Sequence, residues 1–247
     1  MIKFLIATTL IFSLTTSFAQ HHNDKYGKPL LVLIESDPWL DVIGSDVPSF
    51  ALYENGQIIY RKEAAERYKY FQVVYDKDKI QSIFKSLGVT DTLMKESGYY
   101  YISHATDQPT NTILVKPDSI HKIMVYGDLR YNAKVRAGTP RYFLTVYDNM
   151  IKFDDGTATE WLPDSIEVLA TKFSYSRRKP LKWNVEWSDI KNPTTVQRNT
   201  DLYSIYLDKK YFEEFISLLK KLKRGQAVEI NGEKYSLTYR LPFPNIR

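Results

Sequence analysis

The sequence predicts an α+β fold in which antiparallel sheets are each covered by amphipathic helices. Three observations point there. Short apolar runs bounded by turn residues recur along the chain, two Asn-Gly dipeptides sit between such runs, and two segments carry apolar residues at helical spacing.

Residues 1–19 read as a cleavable export signal. Met1-Ile2-Lys3 gives a positive start, and Phe4 to Leu14 is apolar apart from Thr8, Thr9 and Ser13. Ser17-Phe18-Ala19 then places small residues at the −3 and −1 positions of a cut before Gln20. The apolar run is shorter than the ~20 residues a spanning helix needs, and no later segment is long or apolar enough either. The expectation is a soluble protein with no transmembrane segment after cleavage, periplasmic or secreted. The absence of cysteine among 247 residues excludes disulfides, thiolate metal sites and a lipid-modified Cys. Cleavage removes Lys3 from 34 Lys and Arg, which face 29 Asp and Glu. So even a balance does not point to nucleic acid.

Residues 20–29, with His21 and His22, read as a disordered leader. Leu30 to Ile34 is a buried strand, and Ser49–Tyr53 and Gln57–Arg61 flank a hairpin turn at Glu54-Asn55-Gly56. Tyr70–Tyr75 is a strand. Asp76 or Asp78 then caps a helix with Ile80, Ile83, Phe84 and Leu87 on one face, closed by Gly88. Tyr99–Ser103, Thr112–Lys116 and Lys122–Tyr126 are further strands. Between Asp128 and Gly138 the pattern fades into a polar, basic connector, which divides the chain into an N-terminal half (30–138) and a C-terminal half (139–247), able to pack as one domain. Thr139 as N-cap and Pro140 in the first turn open a helix through Phe153, ended by Asp154-Asp155-Gly156. Ile166–Phe173 and Leu202–Leu207 are strands, with an irregular stretch through Trp183 and Trp187 between them. Asp208 caps a helix carrying Phe212, Phe215, Ile216, Leu219 and Leu222, stopped by Gly225. Val228–Ile230 and Lys234–Tyr239 close the chain as a hairpin around Asn231-Gly232.

A constant offset carries Phe71, Asp76, Lys77, Ile80, Phe84 and Leu87 onto Tyr203, Asp208, Lys209, Phe212, Ile216 and Leu219. The two halves are therefore candidates for related units, although strand-to-helix junctions share much of this pattern generically.

The segment Pro48-Ser49-Phe50-Ala51-Leu52-Tyr53-Glu54-Asn55-Gly56-Gln57-Ile58-Ile59-Tyr60 resembles the PxFxLYxxGxxIY opening of a group of exported bacterial α+β proteins. Pro140 to Phe153, Trp161-Leu162-Pro163 and Ile166-Glu167-Val168 are similar to a later stretch of that group. The resemblance implies an exported α+β fold and brings no activity with it.

Catalytic signatures are scarce. There is no Gly-x-Ser-x-Gly elbow, no Gly-rich phosphate loop and no cysteine nucleophile. Past the leader only His104 and His121 remain, both beside strands and without metal-ligand spacing, and Asp154-Asp155-Gly156 reads as a turn. No metal and no cofactor is expected. Glu35, Asp37, Asp41, Glu160 and Glu167 supply carboxylates for glycoside hydrolysis, but spacing alone pairs none of them. The basic end of the last helix, Lys220 to Arg224, follows acids at its start and so complements the helix dipole. Trp161 is expected in the core, whereas Trp183 and Trp187, amid Lys182, Asn184 and Glu186, are the candidates for an exposed binding surface.

The preferred reading is a non-enzymatic binding or protein-interaction module with a protein or glycan partner. The alternatives are a carboxylate-based hydrolase acting on glycan or peptidoglycan, and an envelope inhibitor or immunity-type protein. A cleft with facing carboxylates and a raised acid pKa would favour the enzyme, and a flat aromatic patch would favour binding.

Overall fold

In the computed structural model, which describes residues 25–36, 38, 39, 46–63, 68–116 and 121–246, the apolar run after Lys28 becomes β1 (Pro29–Ser36). The export signal, His21, His22, Asp37 and Asp41 lie outside the described residues. β2 (Pro48–Tyr53) and β3 (Gln57–Glu63) form the hairpin that Asn55-Gly56 predicts. Its turn differs from expectation, because only Gly56 takes a positive φ, 86°. The loop is instead three residues, closed by the Gly56 N–H donating to the Tyr53 carbonyl, with the glycine in the left-handed position that such loops require.

β4 (Tyr68–Val74) leads through a 3-10 turn, Lys77–Lys79, into α1 (Ile80–Leu87), which Gly88 closes at φ 78°. Asp76 stands at the head of the turn without a capping hydrogen bond and pairs with Lys79 instead. Two short helices escape the apolar periodicity. α2 (Asp91–Lys95) is capped by Thr90, and α3 (Ala133–Gly138), inside the polar connector, by Asn132, whose Oδ1 accepts from the Lys134 and Val135 N–H groups. Between them lie β5 (Gly98–Tyr101), β6 (Thr110–Val115) and β7 (Lys122–Tyr126). α4 (Arg141–Ile151) is the helix predicted from Pro140, with one correction. Pro140 itself holds the cap position, while the Thr139 hydroxyl donates back to the Val135 carbonyl.

β8 (Thr159–Glu160) precedes β9 (Ser165–Lys172), β10 (Leu181–Lys182), β11 (Val196–Gln197) and β12 (Leu202–Asp208). A second 3-10 turn, Lys209–Tyr211, enters α5 (Phe212–Lys221), with Asp208 accepting from the Lys210 N–H. This helix stops at Lys221, one turn before Gly225, because Leu222 is already extended. β13 (Val228–Ile230) and β14 (Glu233–Arg240) close around Asn231 and Gly232, both at positive φ as a two-residue turn demands. The constant offset seen in the sequence carries the first 3-10 turn onto the second and the start of α1 onto the start of α5.

The strands form two sheets, ordered β5-β7-β6-β1-β2-β3-β4-β8 and β10-β13-β14-β9-β12-β11. They are mixed rather than purely antiparallel, since β5 runs parallel to β7 and β10 parallel to β13. The larger sheet is buried on both faces at its centre, which is why β2 reads as an unbroken buried segment. One face sets Leu31, Leu33, Phe50, Leu52 and Ile58 against Phe84, Val135, Phe143, Val146 and Met150 of the helices. The other sets Val32, Ala51, Tyr53, Ile59 and Tyr70 in one cluster with Ile166, Val168, Ile205, Leu207 and Phe215. Each such side chain contributes roughly 1.5–3 kcal/mol when buried. α4 packs under the first sheet and β8 pairs with β4, so the strands of the second sheet begin at Ser165. Among the described residues, none from β5 or β7 joins the cluster between the sheets. Among the described residues, the second sheet leaves that outer part of the face uncovered.

Candidate functional site

The two tryptophans singled out in the sequence do not form an exposed surface. Trp183 and Trp187 are buried, edge to face at 4.9 Å, and both lean on Phe215 of α5. Trp183 Nε1 donates to the Ser188 carbonyl. The stretch is irregular in backbone, as expected, yet its indoles fill the space between α5 and the loop, where they share Phe215 with Tyr239. Trp187 lines an open groove of about 470 Å³ together with Glu213, Glu214, Lys182 and Lys221.

The other sequence candidates are spread over the molecule. His104 lies edge-on to Tyr101 at the surface, and His121 lies half-buried at the start of β7. Asp154 and Asp155 dock the turn after α4 onto β3 and β4. Asp154 accepts from Lys62 and Tyr60, and Asp155 accepts from Tyr75 and Thr157. Glu160 pairs with Lys69 in solvent. Among the described residues no cluster of three His, Asp or Glu could hold a metal ion.

A different surface emerges at one end of the larger sheet. Strand directions bring together the ends of β1, β3, β5 and β7 and the starts of β2, β4 and β6: Ser36 lies opposite Thr110, Thr110 opposite Tyr126, and Tyr126 opposite Tyr101. On the other side, Glu63 lies opposite Tyr68. Of the exposed aromatic side chains among the described residues, Trp39, Tyr68, Tyr99, Tyr101 and Tyr131 belong to this end, and Tyr175 alone lies elsewhere. Trp39 follows β1, Tyr68 opens β4, Tyr101 ends β5, and Tyr131 sits in the turn after β7. The rings of Tyr101 and Tyr126 are parallel at 4.9 Å. Tyr131 is held by the Asp128 carboxylate, which accepts from the Arg130 and Tyr131 N–H groups.

A largely buried carboxylate ties several of the segments behind this rim together. Glu35 stands where β1 departs from its register with β2, between Leu33 and Ile34. Its Oε1 accepts from Arg130 Nε at 2.7 Å and from the Tyr147 hydroxyl at 2.8 Å. Its Oε2 accepts from Ser49 Oγ at 2.5 Å, Arg61 Nη2 at 2.8 Å and Arg130 Nη2 at 2.8 Å. Arg130 also reaches Glu63, and the Arg61 guanidinium lies 3.9 Å from the Tyr68 ring centre, a cation–π contact. One side chain therefore ties β1, β2, β3, α4 and the Tyr131 turn together. Burial alone would raise its pKa. The hydrogen bonds and charge of Arg130, with Ser49 and Arg61, outweigh burial and hold it at about 2 instead of 4.5. Both oxygens are fully engaged and the group is ionised at neutral pH, so it acts as a tie between these segments.

The second sheet repeats the solution. Glu167, buried on β9, accepts from Ser204, Arg198 and Arg240, and these overcome burial to lower its pKa.

No protein-family model, no curated protein and no solved structure matches this chain. The fold and the rim carry the functional reading on their own.

The sequence signal for the rim was faint. Nineteen tyrosines are scattered along the chain, and which of them share a surface depends on strand order, which no local pattern contains. The Tyr99-Tyr100-Tyr101 triplet was the one visible pointer.

Proposed function

We propose that the protein is a non-enzymatic binding module, exported by cleavage after Ala19, whose contact surface is the aromatic rim of the larger sheet. The observation that supports this is the gathering of Trp39, Tyr68, Tyr101 and Tyr131 at one end of one sheet. Exposed rings of this kind stack on sugar rings or on apolar and cationic side chains, and large aromatics dominate contact energies. The two buried carboxylates argue in the same direction, since both are held ionised by arginines, whereas glycoside hydrolysis needs one acid with a raised pKa. Among the described residues no helix is long and apolar enough to cross a membrane.

Two experiments test the reading. N-terminal sequencing of the protein recovered outside the cytoplasm should begin at Gln20, and an intact Met1 would refute export by this route. Immobilised protein should retrieve a protein partner from an envelope extract, or mark specific glycans on an array, and the triple variant Trp39→Ala, Tyr68→Ala, Tyr131→Ala should lose that capture. Equal capture by the variant would place the contact surface elsewhere.

A further inference from the structure

Sheet edges expose unpaired N–H and C=O groups, and natural proteins blunt them with very short strands, charges or proline. Three of the four edges here follow that rule, because β8, β10 and β11 are two residues long. The fourth does not. β5 is Gly98-Tyr99-Tyr100-Tyr101, four residues with no charge and no proline, and Gly98, Tyr99 and Tyr101 are exposed. The Ile102 N–H points to β7, donating to the Tyr126 carbonyl. Backbone direction alternates along a strand, so the N–H and C=O groups of Tyr99 and Tyr101 face away from β7. The side chains of the same two residues stand together on the uncovered face, 6.4 Å apart. Tyr100 turns to the helical side, where its hydroxyl meets that of Tyr142 at 2.9 Å.

We infer that β5 is the interface with a second copy of this chain, paired antiparallel across a two-fold axis at Tyr100. The edge is self-complementary in this register. Tyr99 lies opposite Tyr101 of the other copy and Tyr101 opposite its Tyr99, so outward-facing backbone groups meet outward-facing ones. A two-fold axis perpendicular to the sheet keeps the tyrosines of both copies on one face, where cross-strand aromatic pairs are favourable. Lys95 and Glu96, directly before the strand, keep the flanks from pairing indiscriminately. A four-residue ladder buries less than the ~1,200 Å² of a standard stable interface, so the dimer is reversible and concentration-dependent. The two rims end up at opposite ends of one continuous sheet. The inference requires no ligand, and it shares Tyr101 with the rim while Tyr99 belongs to the edge strand alone.

Sedimentation equilibrium of the chain at pH 6, up to about 1 mM, tests it. The weight-average mass should rise with concentration from one chain toward two. Tyr101→Lys and Tyr99→Pro should each hold the mass at one chain, while Tyr175→Lys, an exposed aromatic on the other sheet, should dimerise like the wild type. A wild-type mass that stays at one chain throughout overturns the proposal, as does unchanged dimerisation of both edge variants. A monomeric chain whose Tyr99 and Tyr101 amides become protected from exchange only when another protein is added assigns the edge to a foreign strand, which also overturns it. Variants of Trp39, Tyr68 and Tyr131 should dimerise normally, so loss of rim binding and loss of this interface read out separately.

Discussion

Glu35 receives hydrogen bonds from side chains on four other segments of the chain, and its linkage to pH follows from its charge. A carboxyl held at about 2 instead of 4.5 favours the folded state wherever it is ionised. Its contribution, on the order of 3 kcal/mol, is complete above about pH 4.5 and drains away as pH falls toward about 2. Glu35→Ala leaves the Arg61 guanidinium partly buried without its carboxylate and Arg130 with Glu63 as its remaining acid, and should destabilise the fold by about 3 kcal/mol in urea unfolding at pH 7. The deficit should shrink between pH 4.5 and 2, where the wild type loses the same charge; a deficit that stayed constant down to pH 2 would show that the carboxylate is not what matters. Nothing local in the sequence singled this residue out from the other carboxylates. Its strongest partner, Arg130, is 95 residues away, in a stretch that read as a solvated connector.

Turns show what was legible at the level of elements. Both Asn-Gly pairs marked hairpins correctly, because left-handed backbone next to an apolar run has few other uses. Their geometries diverge for a tertiary reason. A side chain at Gly56 would place its Cβ 2.1 Å from the Tyr75 carbonyl oxygen, while one at Gly232 would meet nothing within 4 Å. Gly232→Ala should therefore cost only the left-handed strain, about 1 kcal/mol, and Gly56→Ala distinctly more, since β4 must also retreat. Thermal or urea denaturation of the pair checks the order, and equal losses would mean that the approach of Tyr75 is unimportant. The helices with long apolar periodicity, α1, α4 and α5, were readable for the same local reasons as the turns. α2 and α3 were not, because helices of five and six residues depend on one cap each, Thr90 and Asn132, and carry too few buried side chains to make a period. The two-residue strands β8, β10 and β11 were equally invisible, being defined by their neighbours alone.

At the scale of the whole molecule, the two sheets meet over the centre of the larger one, and among the described residues nothing from the second sheet covers the β5–β7 margin. That arrangement decides which aromatics become surface. Trp183 and Trp187, in a loop-like polar context, fold inward because α5 offers Phe215 for them to cover. Tyr68, Tyr101 and Tyr131, in or beside strands, stay outside because the sheet ends where they stand. Sequence composition announced an abundance of rings, and only topology sorts them into core and rim. Through Arg61 and Arg130, Glu35 ties the segments that carry Tyr68 and Tyr131 to β1, β2 and α4; if the rim binds a partner, preorganisation of this sort lowers the entropic cost.

Hydroxyl-radical footprinting of the protein, alone and with an envelope extract, tests this central claim most directly because it works with an unidentified partner. Oxidation of Trp39, Tyr68 and Tyr131 should fall markedly on adding the extract, while Tyr175, exposed like Trp39 and Tyr131 but beyond the end of β9, should oxidise at an unchanged rate. Unaltered rim rates, or protection centred on Tyr175 with the rim still reactive, would contradict the account.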